Sequence, residues 1–452
     1  MFHKAARISG AFLLTLLFSS LYFYLSSLNT DIHPRSLSQS SKSGDKLTSP
    51  QKAKNEVKNT PTESSVLLSD PAMSLKWGVT QIDLQKALKV SQGSRDIVIA
   101  VIDTGIDVNH PDLRNNLWVN PGETGKDKNG VDLAGNGKDD DGNGCIDDVF
   151  GCNFITMRGK MDDLADNHGH GTHISGIIGA EGGNGVGVSG VSPKVRLMTL
   201  KYYDSRVKTN HLLNTVNAFH YAVWMKKKYN IKKMIINYSG GGVEYSRDEF
   251  LAVQSARQAG ILLVAAAGNE RSNSDKFKYY PAGYDLDNII SVTAVNPKTQ
   301  VLPSSNYGIQ SVDLAAPGEN IYSTMPSGQY GLMTGTSQAT AFVTGVAALI
   351  MAHNSDFSAE EVKKYILKTG DDIPSLNKMT GTSKRLNSYR ALVTLDQGVG
   401  ATGVLASNTA NMKPAQFAAV PQLDPNSEPT EVLNSFGRDL LKVIKDKNIN
   451  MN

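Results

Sequence analysis

Two cysteines in 452 residues cannot build a disulfide scaffold or a four-thiolate zinc site; at most they make one bridge. Neither precedes Cys145, which excludes a lipid-modified N-terminal cysteine. An excess of one charge is also missing. The 46 Lys and Arg stand against 43 Asp and Glu, and a net charge of +3 gives no long-range argument for nucleic acid or an anionic membrane surface as partner. Glycine is plentiful at 41 residues but has no three-residue period, so collagen is excluded, and no internal repeat is visible. What is present is 40% hydrophobic and 20% charged residues, a globular balance that rules out a wholly disordered chain. At roughly 150 residues per domain the length allows about three domains, or one large α/β domain with tails.

The ends differ from the middle. Residues 1–29 read as a targeting segment, with Lys4 and Arg7 ahead of an uncharged, mostly apolar run from Ile8 to Leu25. That run reaches the ~18 residues at which a spanning helix begins and exceeds the roughly 7–15 of a signal core. A cleaved signal peptide and an N-terminal membrane anchor both fit, and the basic flank places the remainder outside the cytoplasm in either case. Membrane contact is expected only through this segment. Residues 30–69 turn to Ser, Lys, Thr, Asn and Pro and read as a flexible linker. Residues 397–452 form a second polar tail, in which 429–447 carries Val432, Leu433, Phe436, Leu440, Leu441 and Ile444 at helical spacing.

Between residues 70 and 396, short apolar runs alternate with amphipathic segments. Ile97–Ile102, Val195–Leu200, Met234–Tyr238, Ile261–Ala266 and Ile289–Val295 suit parallel strands buried on both faces, and Asn210–Lys228, Arg247–Gln258 and Ser358–Leu367 suit helices. The alternation predicts an α/β domain, a mostly parallel sheet covered by helices on both sides. Ligands of such sheets bind beyond the carboxyl ends of the strands, so the polar residues that close apolar runs are site candidates. Asp103 closes Ile97–Ile102, and Asn269 follows Ala266-Ala267-Gly268. His168, His170 and His173 open a small-residue helix, and Ser337 opens a largely apolar one that ends near His353. Singly, each has a plainer reading: a turn aspartate, a helix N-cap, a trio of metal-binding histidines. Together, in the order Asp, His, Asn, Ser, they are specific, because Asp…His…Ser is the chain order of the subtilisin variant of the catalytic triad.

The chain thus resembles the subtilisin-like serine proteases, the subtilases, over about Asp70–Asp396. The resemblance is carried by DTGIDVNHPDL, HGHGTHISG, NYSGGG, AAAGN, YYPA, APG and GTSQATAFVTG. It implies the three-layer subtilisin-like fold, protein or peptide substrates, and a serine-type endopeptidase in which Ser337 attacks the peptide carbonyl. His170, the first residue of the HGTH tetrapeptide, would take the proton of Ser337 while Asp103 holds the imidazole, and His173 would be structural. The Asn269 side chain and the Ser337 backbone N–H would form the oxyanion hole. Ser239-Gly240-Gly241 and Ala266-Ala267-Gly268 match the strips that flank substrate, with Tyr279 as a bulky pocket floor favouring a small or medium residue before the cut. The pattern departs from the common form at Gln338, Ala341 and Phe342, where Met, Pro and His are usual. The polar stretch before Asp70 does not resemble the folded inhibitory propeptide of many subtilases.

One loop between Asp103 and His170 stands out. Residues 136–148 are dense in oxygen donors, with Asp139, Asp141, Asn143, Asp147 and Asp148 as candidate ligands. Counted as an EF-hand from Asp139, position twelve is Phe150 rather than Glu, which rejects that motif. Similar acidic loops occur in some calcium-dependent subtilases, and a hard cation, Ca²⁺, is the simplest counter-charge; a solvated loop is the alternative. Cys145 lies in it and Cys152 just beyond, and in an oxidising compartment they are expected to pair. The leading expectation is an exported serine endopeptidase. A catalytically silent subtilase-like binding module of the cell envelope is the competing one, for which the three departures beside Ser337 are the hints.

Overall fold

The apolar residues of β1, Gly93–Asp103, divide between the two faces of a sheet. In the structure, a computed structural model that describes residues 68–396, Ile97, Ile99 and Val101 enter one core and Val98, Ala100 and Ile102 the other. Successive side chains of a strand point to opposite faces, so a strand buried on both sides reads as a continuous apolar run. The targeting segment, the linker up to residue 67 and the C-terminal tail with its 429–447 helix lie outside the described residues.

The other strands are β2 (Gly151–Asn153), β3 (Lys194–Lys201), β4 (Lys233–Tyr238), β5 (Leu262–Ala266), β6 (Ile289–Val295), β7 (Leu314–Pro317), β8 (Ile321–Met325), β9 (Gln329–Met333), β10 (Asp371–Asp372) and β11 (Lys384–Arg385). Nine of them form one sheet in the order β10-β11-β7-β6-β5-β4-β1-β3-β2, parallel except for β10 with β11; β8 and β9 pair separately as a hairpin. This is the subtilisin-like α/β fold. The chain leaves β1 for β3 on one side and then crosses to β4 on the other, so β1 sits at the switch point where such sheets open a crevice. Register makes the crevice concrete. Ile102 pairs with Tyr238 and Tyr238 with Ala265, so Asp103, Ser239 and Ala266 emerge side by side at the carboxyl edge.

Helices cover both faces. His211–Lys228 and Arg247–Gln258 bury Phe219, Ala222, Val253 and Ala256 against one side of the sheet. Their starts are set by Asn210, whose side-chain oxygen accepts from Leu213 N at 3.0 Å, and Ser246, which accepts from Glu249 N at 3.2 Å. On the other side lie His170–Gly179, all of it buried, and Thr336–His353, buried from Thr336 to Met351. The second of these packs beneath β1 and β4–β7, which explains its lack of a polar face. Ala341 and Phe342, two of the departures beside Ser337, are fully buried parts of that packing. Ala359–Thr369 begins with a reciprocal capping box between Ser358 and Glu361. Residues 68–92, ahead of β1, dock Val79, Ile82, Leu84 and Leu88 into the same core. The β8–β9 hairpin and the short β7 were not among the expected strands; Ser323, Thr324 and Gly331 weaken the apolar signal of the hairpin, and β7 is only four residues long.

Candidate active site

Asp103 ends β1 at the switch point, 3% exposed. Its Oδ1 accepts from the Thr104 backbone N–H at 2.8 Å and from His170 Nδ1–H at 2.7 Å. His170 is the first residue of its helix, and that turn lies against β1 because Gly171 carries no side chain. A Cβ there would sit 2.1 Å from the Gly105 carbonyl oxygen and 3.1 Å from Asp103 Cβ. Burial works against the imidazolium of His170, but attraction to Asp103 and the hydrogen bond to it prevail, and the pKa lies above the ordinary histidine value. His173, one turn on, donates Nε2–H to the Ile321 carbonyl at 2.9 Å, and burial, aided by repulsion from His170, lowers its pKa to about 3. It ties the helix to β8 as a neutral ring.

A residue that sequence reasoning missed organises this corner. Asp166 is 5% exposed and accepts from Gly169 N, Thr172 N, Thr172 Oγ1 and Thr104 Oγ1 at 2.7–2.8 Å. The same Thr104 hydroxyl accepts from Gly171 N at 2.9 Å, so one carboxylate links the start of the histidine helix to the end of β1. An acidic residue just ahead of a helix start was the available signal.

Ser337 opens the buried helix at 4% exposure, and its hydroxyl donates to the Ser239 carbonyl at 3.1 Å. Ser239 Oγ in turn accepts from Asn237 Nδ2 at 3.2 Å. Asn269 directs its Oδ1 to Thr336, accepting from the backbone N–H at 3.1 Å and the hydroxyl at 3.2 Å, which leaves Nδ2 as its donor. Asp103, His170, Asn269 and Ser337 thus gather at one edge of the sheet. Ser239, Gly240 and Gly241 continue β4 there, and just beyond them Gly242 and Tyr280 exchange backbone hydrogen bonds at 2.9 and 2.7 Å. Ala266-Ala267-Gly268 is less open: Asn306 takes the Ala267 carbonyl with Nδ2 at 2.8 Å and the Gly268 carbonyl with its backbone N–H at 2.9 Å. That strip can serve as a wall but not as a free strand edge. Tyr279, 3% exposed, lies between the two strips, since a Cβ on Gly241 would meet its Cε1 at 2.5 Å and one on Gly268 its Cε2 at 2.9 Å.

The acidic loop is arranged differently from the expected ligand set. Glu123, Asp139 and Asp141 each bring a carboxylate oxygen within 4.8 Å of the others, the only such acidic group among the described residues. Glu123 was not among the candidates because it lies sixteen residues earlier in the chain than Asp139. It is fully buried; its Oε1 accepts from Asp140 N at 2.7 Å, whereas its Oε2 has no partner. Burial above all, then repulsion by Asp141 and Asp140, raises its pKa to about 7 despite those hydrogen bonds. Asn143 spends its Oδ1 on Cys145 N, and Asp147 faces Lys160 Nζ at 3.4 Å. Asp148 accepts from Tyr221 and Asn143, and burial lifts its pKa to about 8. Three converging carboxylates, one of them with an unpaired buried oxygen, fit a hard cation. Cys145 and Cys152 are bridged, with Cα atoms 6.2 Å apart.

With the fold and this geometry in place, comparison with known proteins assigns the chain to a class. The model of the subtilase family matches residues 94–400, more than half of the sequence, and the chain belongs to that family. It is 32% identical over 310 residues to subtilisin-like protease 2 of Plasmodium falciparum, a match covering 67% of this chain and 21% of that protein. It is 35% identical over 264 residues to the major intracellular serine protease of Bacillus subtilis, covering 58% of this chain and 70% of the relative. Identity to subtilisin amylosacchariticus, from a subspecies of B. subtilis, is 31% over 324 residues, or 71% of this chain and 73% of the relative. The chain therefore spans about a fifth of the Plasmodium relative's length and nearly three quarters of subtilisin amylosacchariticus.

Proposed function

We propose that this chain is an exported serine endopeptidase working through Asp103, His170 and Ser337. The observation that carries the reading is the 2.7 Å bond between Asp103 and His170 at the carboxyl edge of β1, beside the helix start that holds Ser337. Asp103 holds Nδ1–H and thereby leaves Nε2 as the basic nitrogen. As Ser337 Oγ bonds to the substrate carbonyl carbon, its proton passes to Nε2 and the carbonyl π pair moves to oxygen. His170 then returns the proton to the departing amine, and a water repeats the sequence to release the acid. Asn269 Nδ2–H and the Ser337 N–H are the donors for the oxyanion; one such donor is typically worth about 10²–10³ in kcat.

The Tyr279 ring between Gly241 and Gly268 makes the pocket shallow, and substrates with a small or medium residue before the cut are favoured. Calcium is the cation that Glu123, Asp139 and Asp141 would hold, supplying counter-charge and rigidity to the loop. Export rests on the basic start and apolar run of residues 1–29; among the described residues no helix is long and apolar enough to cross a membrane.

A fluorophosphonate probe tests the reading. It is expected to label the wild-type protein and not Ser337→Ala; absence of labelling in a folded wild-type protein would leave the silent binding module. A peptide-library profile dominated by large aromatic residues before the cut would refute the role given to Tyr279.

A further inference from the structure

Beside Ser337 lies a polar group that the scheme above does not use. Gln338 is 1% exposed, deep in the first turn of the helix, and its Oε1 is buried without any hydrogen-bond partner. Its neighbours in that helix bond their polar atoms: Thr336 Oγ1 donates to Asn269 Oδ1 at 3.2 Å, Ser337 Oγ to Ser239, and Thr340 Oγ1 to Thr336 O at 2.8 Å. A buried amide oxygen without a donor is costly, and an apolar side chain of the same length would avoid that cost.

The direction of the amide is informative. The position that a Cβ would take on Gly335 lies 3.2 Å from Gln338 Oε1, 3.5 Å from Asn269 Oδ1 and 3.6 Å from Asn269 Nδ2. Two side-chain amides therefore border one point in front of the helix start, and only Asn269 has its oxygen satisfied. A half-turn about the last side-chain bond of Gln338 exchanges Oε1 for Nε2 without altering the shape of the side chain. It would also replace an orphaned acceptor with an N–H donor on the side of Asn269.

We propose that Gln338 is a further oxyanion donor, turning its Nε2–H toward the substrate oxygen as charge develops there. The inference rests on the triad reading. When Ser337 Oγ bonds to the carbonyl carbon, the π pair moves to oxygen and the hydroxyl proton moves to His170. The new negative charge then favours the donor face of the Gln338 amide over its acceptor face. An interaction that exists only once the oxyanion forms raises kcat and leaves KM unchanged.

Gln338→Met retains an unbranched chain of similar length without the N–H groups, and Gln338→Glu, assayed at a pH above its own carboxyl pKa, retains the shape but offers only acceptors. The full chain and both variants are assayed for kcat and KM on one peptide, for inhibition by the matching peptide aldehyde, and for end-point fluorophosphonate labelling. The aldehyde adduct on Ser337 carries the same oxyanion. Expected is a kcat about 10²-fold lower for Met and lower again for Glu, with KM within two-fold and aldehyde affinity falling in step with kcat. A residue that merely packs would not couple kcat to aldehyde affinity. Labelled variants whose kcat and aldehyde affinity stay within two-fold of wild type overturn the inference alone. A faster Gln338→Met does so as well, since the amide would then compete for Asn269. Failure of the wild-type protein to label overturns the triad reading with it. Should the Met variant fail to fold, the Glu variant, with its nearly identical shape, carries the same comparison.

Discussion

Asp103 and Asp166 at the cleft, and Glu123 in the acidic loop, are all carboxylates withdrawn from water, yet their surroundings differ. Asp103 takes two hydrogen bonds on one oxygen, and Asp166 takes at least four across both. Glu123 has donors on Oε1 only, and its neighbours Asp140 and Asp141 repel it. The cleft is complete within the protein: backbone N–H groups, two threonines and an imidazole supply the compensation that buried anions need. The loop is incomplete. With its pKa raised to about 7, Glu123 is only partly ionised near neutral pH, whereas a bound cation would favour the ionised form. One cluster compensates its charge within the protein, and the other leaves a buried carboxylate oxygen without a donor.

The largest test of that contrast lies in the cleft. Asp103→Asn is expected to lower kcat by about 10⁴, because an amide no longer fixes the productive tautomer of His170. A pH effect accompanies it. In the proposed mechanism His170 serves as a base only when neutral, and its pKa is raised, so kcat/KM should be lost as pH falls through that raised value. Without the Asp103 charge the midpoint of the acidic limb should move to lower pH, and an unmoved midpoint would contradict the assignment. Asp166→Ala ranks next: it abandons buried donors at about 1–3 kcal/mol each and frees the start of the histidine helix. A kcat/KM loss of roughly 10² is expected from misplacing His170, together with a lower Tm. Loss of Tm without loss of activity would show that Asp166 supports the fold only.

The smallest effect belongs to the loop. Calcium at about 100 times its Kd should add roughly 2.7 kcal/mol of stability, read as a rise in Tm that excess EDTA reverses. Glu123→Gln should reduce this calcium response while leaving the Tm in EDTA unchanged or higher, since it removes a carboxylate that has no full complement of donors. A Tm indifferent to EDTA would place the loop with ordinary solvated acidic loops.

Strand β1 shows how much the sequence discloses. Its apolar run is unbroken because both faces are buried, and the first polar residue after it is Asp103, so strand and candidate site are legible in one stretch. The segments Arg247–Gln258 and Ile289–Val295 appear in the structure with the bounds their patterns suggest. Asp166 and Glu123 were not legible. Each acts on groups brought to it by folding: Thr104 from 62 positions away, and Asp139 from beyond another loop. Asn306, which closes the Ala267 and Gly268 carbonyls, stands in a loop whose local sequence has no sign of that task.

By itself the sequence determined the α/β alternation, the family and the order of Asp103, His170, Asn269 and Ser337, because those are properties of local pattern and chain order. The tertiary structure alone decided which carboxylates are satisfied. It also set how Tyr279 fills the space between two strips and placed the Gln338 amide beside Asn269. Hydrogen bonding and electrostatic compensation depend on distances of about 3 Å between groups far apart in the chain, and only packing sets those distances.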